Sequence, residues 1–298
     1  MKTIVRPFLT AGLISGLLLS MAITAQTHAA TAGSGEESIT LSPTSKQYQL
    51  DPGSTRSDKF TIINDGDTDY EFKVFAQPYS VNGEEYEPDF YTVRENTDLE
   101  KWVKFQKDTY FLRAGQSVEI PFSVVVPADA IPGGHYGAIF AETQPSQQTS
   151  GTSIQRKSRV GSLIYATVNG NFETGGSFEG IRTPLMQFKA PVKSEVTVRN
   201  TGDTDFGVTT VFAVEDIFGN RKLTESKEYR VLPKTKRTIQ LQWDKAPSFG
   251  LFKVTTSAKF IDQETTKSTY VLMAPFGFYL AFVLLFFIAI IFFVQKKR

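Results

Sequence analysis

Apolar and polar residues alternate along most of the chain, the spacing of strands with one buried face. The clearest run is Val118, Ile120, Phe122, Val124 and Val126, with Glu119, Pro121 and Ser123 between them. The same period recurs at Phe60 and Ile62, at Tyr70, Phe72 and Val74, at Val196 and Val198, and at Ile239, Leu241 and Trp243. Asp51-Pro52-Gly53, Asn82-Gly83 and Pro132-Gly133-Gly134 punctuate these runs as turns. Between residues 84 and 108 the pattern weakens, and Trp102 falls in a short helical turn whose cap is Thr97 or Asp98.

One strand–turn–strand unit occurs twice. Residues 64–69 read Asn-Asp-Gly-Asp-Thr-Asp and residues 200–205 read Asn-Thr-Gly-Asp-Thr-Asp, an offset of 136. Gly supplies the positive φ of a tight reversal, and Asn or Asp side chains bond nearby backbone amides. Later segments align by role: Lys234–Trp243 with Gly115–Val126, and Phe249–Phe252 with Gly133–Tyr136. Repetition at this distance predicts two similar all-β domains rather than a short-period solenoid. With about seven turn-punctuated strands each, they read as two tandem immunoglobulin-like β-sandwiches, with Tyr136 a candidate for the tyrosine corner.

The ends read differently. Met1–Ala30 has Lys2 and Arg6, an apolar run from Phe8 to Ile23 and small residues at the end, the plan of a secretory signal peptide. Residues 274–294 are uncharged and rich in Phe, Leu and Ile. At 1.5 Å per residue they span roughly 32 Å, which predicts one C-terminal transmembrane helix inserted in a lipid bilayer. The Lys-Lys-Arg after it predicts a cytoplasmic tail, residues 295–298, and an external N-terminal ectodomain. The expected domains are therefore 31–170 and 171–272, parted at the Gly-rich stretch Asn169–Gly180. Residues 144–159 read either as an interdomain linker or as a long hairpin loop between the last two strands of domain one; the loop is preferred, because Val160–Val168 would otherwise be an orphan strand.

Composition narrows the function. No cysteine is present, so disulfides, thiolate metal sites and thiol catalysis are excluded. Setting aside the two leader cations and the three at the C-terminus leaves 27 basic against 31 acidic residues, which argues against nucleic acid. Past the leader His135 is the lone histidine, and no Gly-x-Ser-x-Gly, His-Glu-x-x-His or phosphate loop occurs. An enzyme is not expected, nor a cofactor. Asp65-x-Asp67-x-Asp69 has a calcium-loop look, but Tyr70 and Ala76 stand where an EF-hand needs Gly and Glu, so no metal site is expected. Trp102, His135 and Tyr136 could stack on a sugar, although core packing is their default. Arg156, Lys157 and Arg159 sit in a loop without acids and form the best candidate patch for a polyanion or an acidic partner.

Four stretches carry a resemblance: Leu50-Asp51-Pro52-Gly53 before a strand ending at Asn64-Asp65-Gly66-Asp67; the Trp102 region; Ala114-Gly115-Gln116-Ser117 before Val118–Pro127; and Pro132-Gly133-Gly134-His135-Tyr136-Gly137. In these the chain resembles the membrane-anchored WxL-interacting surface proteins of Gram-positive bacteria. The resemblance implies a peptidoglycan-binding first domain and a partner-binding second one. It also implies a tethered cell-surface protein engaging cell-wall polymer, another surface protein, or both. The rival reading is a chaperone-like or structural pair of sandwiches, similar to two-domain pilus chaperones, in which an exposed edge strand bonds a client protein through its main chain.

Overall fold

The computed structural model describes residues 38–144 and 157–296, which belong to one compact unit. The leader, Arg156, Lys297 and Arg298 lie outside the described residues. The first sandwich contains β1 (Ile39–Ser42), β2 (Ser45–Leu50), β3 (Thr55–Asn64), β4 (Tyr70–Pro78), β5 (Ser80–Asn82) and β6 (Glu87–Asp89). It continues with the helical turn α1 (Leu99–Trp102), β7 (Val103–Phe105), β8 (Thr109–Leu112), β9 (Ser117–Val125), β10 (Gly133–Thr143) and β11 (Arg159–Val168). One sheet has the order β1-β3-β9-β7, the facing one β2-β11-β10-β4-β8, and β5-β6 forms a separate hairpin. The second sandwich holds β12 (Gly176–Arg182), β13 (Met186–Gln187), β14 (Val192–Asn200), β15 (Phe206–Asp216), β16 (Arg221–Val231), β17 (Lys236–Trp243), β18 (Gly250–Phe260) and β19 (Gln263–Met273). Its sheets are β12-β14-β17 and β13-β19-β18-β15-β16.

The period-2 runs do what burial demands. Along β9, Ile120, Phe122, Val124 and the following Val126 are buried while Glu119 and Pro121 are exposed. Each sandwich also sends its opening segment from one sheet to the other. β1 pairs antiparallel with β3, whereas β2 pairs parallel with β11; β12 and β13 divide in the same way between β14 and β19. The long segment after Thr143 joins two paired strands, since β10 and β11 run antiparallel from Gly133↔Val168 to Glu142↔Arg159.

The duplicated turn is pinned by its asparagine. Asn64 and Asn200 are fully buried. Asn200 Nδ2 donates to the carbonyls of Thr204 and Val231, both at 2.9 Å, and its Oδ1 accepts the Gly202 N–H at 2.9 Å. Asn64 repeats the scheme with Thr68 at 2.8 Å, Leu112 at 3.5 Å and Gly66 at 3.0 Å. The side chain thus satisfies backbone groups that burial would otherwise leave unpaired.

α2 (Phe276–Lys296) follows the second sandwich, two residues later at each end than the expected span. Within it Phe276–Phe293 is long and apolar enough, by length and composition, to cross a membrane. Tyr279 donates to the Leu272 carbonyl at 3.0 Å, and Phe188 packs edge-on against Phe276 and Tyr279.

Candidate functional site

The aromatic candidates are internal. Successive side chains of a strand point to opposite faces, so neighbours His135 and Tyr136 on β10 part company. β10 is buried on both faces: Ile139 and Ala141 enter the first core, Tyr136, Ala138 and Phe140 the second. His135 packs on the Trp102 ring at 4.5 Å; its Nδ1 meets Asp98 Oδ1 at 2.7 Å and its Nε2 donates to the Ile131 carbonyl at 2.8 Å. Asp98 therefore does not cap α1 with its side chain, although it occupies the N-cap position. Burial alone would lower the His135 pKa, but the Asp98 carboxylate and the Ile131 carbonyl outweigh it and leave the pKa above its ordinary value.

Tyr136 is no tyrosine corner. Its hydroxyl reaches the second copy of the duplicated turn, donating to Asp205 Oδ1 at 3.0 Å and accepting the Asp205 N–H at 2.9 Å. Burial and then the Asp205 charge push its pKa well above the usual phenol value, so it stays a donor. Gly134 explains itself here: a Cβ at that position would collide with the Tyr136 hydroxyl. The Gly134 N–H donates to the Asp203 carbonyl at 2.8 Å, and Arg230 completes the junction by pairing with Asp205 at 2.9 Å.

A second clamp was not foreseen. The β5-β6 hairpin lies against domain two, where the Tyr86 hydroxyl accepts the Leu232 N–H at 2.8 Å and meets Thr235 Oγ1. Arg237 sits over the Tyr86 ring at 4.3 Å, Lys236 pairs with Glu84 at 3.0 Å, and the Thr238 N–H donates to the Glu84 carbonyl at 2.8 Å. Asn82-Gly83 with Tyr86 close behind was the available signal. Tyr79, Tyr136 and Tyr165 join the core of the second sandwich, so that core extends across the domain junction while the first sandwich keeps a core of its own.

Two of the three cations of the basic patch, Lys157 and Arg159, are paired within the chain. Glu142 on β10 takes Lys157 at 3.3 Å and Arg159 at 2.5 Å. These bonds, Arg159 foremost, hold the Glu142 carboxyl below the usual range. The Arg159 guanidinium lies over Phe75 and Phe140 at 5.1 and 5.5 Å. Among the described residues no group of three or more His, Cys, Asp or Glu could hold a metal ion.

The sheet edges differ in what they offer. In domain one, β2 covers β11 from Leu163 to Val168. In domain two, β13 covers the matching strand β19 only at Leu272 and Met273. The Leu272 N–H donates outward to the Leu185 carbonyl at 2.8 Å, so by the strand's period Tyr270, Ser268, Thr266 and Glu264 aim their main-chain groups the same way. Among the described residues no strand pairs there. The Lys267 ammonium is turned aside, donating to the Ile181 carbonyl at 2.9 Å. β16, an edge of equal length, carries Arg221, Lys222, Glu225, Lys227, Glu228 and Arg230, the charge that keeps strand edges from pairing.

No family model matches the chain, and no curated protein matches it. Solved structures align with it over most of its length. The class 5 fimbriae chaperone CfaA is 15% identical, covering 80% of this chain and 100% of that one with a TM-score of 0.38. The E. coli chaperone DraB is 12% identical, covering 80% and 97% with a TM-score of 0.39. A chain of the Salmonella enterica SafA pilin complex with the SafB chaperone is 11% identical, covering 80% and 97% with a TM-score of 0.40.

The resemblance to WxL-interacting proteins is corrected by these findings: no family model matches the chain, and the solved structures that align with it include fimbrial chaperones. With it fall the peptidoglycan-binding assignment and the placement as a single-pass surface protein with an external ectodomain and a cytoplasmic tail. Its residue basis dissolves for a physical reason. The Pro-Gly-Gly, Trp102 and Asn-Asp-Gly-Asp stretches are accounted for by packing and turn closure within two linked sandwiches.

Proposed function

We propose that the protein is a non-catalytic binding protein that captures an extended segment of a partner protein by adding it as a strand beside β19. The observation that carries this reading is the open edge from Glu264 to Tyr270. Its sequence, Glu-Thr-Thr-Lys-Ser-Thr-Tyr, is rich in β-branched residues and holds no proline or glycine. An incoming strand would close main-chain hydrogen bonds with Glu264, Thr266, Ser268 and Tyr270, each contributing about 0.5–1.5 kcal/mol net. Tyr270, 59% exposed, flanks the edge as an aromatic contact.

The test is a photo-crosslinking amino acid at Ser268, compared with one at Lys222 on the charged edge. Adducts with protein are expected at Ser268 and not at Lys222, and Thr266→Pro should abolish them by removing one outward N–H. Equal adducts at both edges, or adducts that survive Thr266→Pro, would overturn strand addition at β19.

A further inference from the structure

Where the two sandwiches meet, a cleft of about 570 Å³ opens between the loop before α1, the turn into β10 and the β16–β17 turn. Its floor is apolar, with Val81, Leu232 and Pro233, and Ile131 forms a lip that is 59% exposed. Ser80 lines it and is 4% exposed, yet its hydroxyl has no hydrogen-bond partner among the described residues. A buried hydroxyl without a partner keeps its desolvation penalty, which a ligand atom there would relieve. Asn96 and Asn171 also line the cleft, and their side-chain amides make no hydrogen bond among the described residues.

Charge and shape narrow the ligand. Arg94 and Lys234 are matched by Glu95 and Asp203 on the same walls, and Lys234 already pairs with Asp203 at 2.9 Å. A balanced wall favours a neutral ligand over an anion. Stacking of a sugar is disfavoured because the aromatic lining is spoken for. Tyr79 stacks on Phe90 at 5.8 Å and meets Tyr165 at 6.0 Å, while the His135 ring lies on Trp102. What remains is an aliphatic surface beside free amides and a free hydroxyl, the complement of a peptide backbone carrying one apolar side chain.

We infer that the cleft binds an uncharged, extended piece of polypeptide, with an aliphatic side chain against Ile131 and Pro233 and main-chain groups held by Asn96, Asn171 and Ser80. This site is separate from the β19 edge and rests on none of the observations made there.

The test titrates the isotope-labelled full-length chain in detergent with N-acetyl-Gly-Leu-Gly-amide and follows amide chemical shifts. The free-carboxylate form of the peptide and maltotriose are titrated in parallel. Saturable shifts at Ser80, Asn96 and Asn171 are expected with the capped peptide. Ile131→Ser and Asn171→Ala, both at exposed positions, should each weaken binding at least five-fold without changing Tm. Thr266→Pro should leave the titration unaltered, so failure at the edge and failure in the cleft are told apart. No shifts in the cleft, tighter binding of the free carboxylate, or a response to maltotriose instead would overturn the inference.

Discussion

Tyr136→Phe isolates the link between the sandwiches with a single atom. The ring stays, together with its edge contact to Tyr165 at 5.8 Å, so no cavity opens. What goes is a donor to the Asp205 carboxylate and an acceptor for the Asp205 N–H, both at a side chain with no exposed surface. A hydrogen bond to a charged group contributes about 1.5–3 kcal/mol and a neutral one about 0.5–1.5 kcal/mol. Arg230 still holds the other carboxylate oxygen, so the pair of losses should come to about 2–4 kcal/mol. For a cooperative unit of this size that lowers Tm by roughly 5–15 °C. Differential scanning calorimetry of the full-length chain reads the effect, with Tyr110→Phe, on the edge strand β8, as a control expected to stay within about 0.5 kcal/mol. A double-mutant cycle with Asp205→Asn should return a coupling of at least about 1 kcal/mol. A Tyr136→Phe protein as stable as wild type, or one without coupling to Asp205, would refute the reasoning.

Three further outcomes follow from the same geometry. Asn200→Ala should cost about 2–4 kcal/mol and Asn64→Ala less, because the Asn64 bond to Leu112 is stretched to 3.5 Å; equal losses in urea titrations would contradict the ranking. His135 has a folded pKa above its ordinary 6.5, so its contribution is fully present below that value and is lost as pH rises through the folded pKa. Melting curves from pH 5.5 to 8.5 should show a decline in wild type that His135→Gln lacks. Ile120→Asp puts an unpaired charge at a position with no exposed surface and should unfold the first sandwich, whereas Ser123→Asp on the half-exposed face should be tolerated; near-UV circular dichroism distinguishes them.

The sandwiches were legible because their rules are local. Period-2 burial on β9 and the Asn-x-Gly turn chemistry act within a few residues, and both appear as written. The role of Tyr136 was not legible, since its partner lies 69 residues away and only the assembled domains bring Asp205 beneath it. His135 and Trp102 could have been core or surface by type alone; their mutual stacking and the Asp98 contact decide it. The charges of Lys157 and Arg159 looked unopposed along the chain, but the hairpin register places Glu142 opposite Arg159. β19 escaped notice for a different reason. Its Thr- and Ser-rich stretch has little apolar alternation, because one edge is open and one face is exposed. The brevity of β13, which creates that edge, is a property of pairing rather than of composition.

The open edge is tested most directly by amide hydrogen exchange along β19, residue by residue, in the full-length chain without a partner. Thr265, Lys267 and Thr269 face β18 and should be protected. Thr266, Ser268 and Tyr270 face outward and should exchange close to the rate of an unstructured chain. An alternation of fast and slow amides is the predicted result. Uniform protection from Thr265 to Tyr270 would show the edge already paired, and strand addition there would be contradicted.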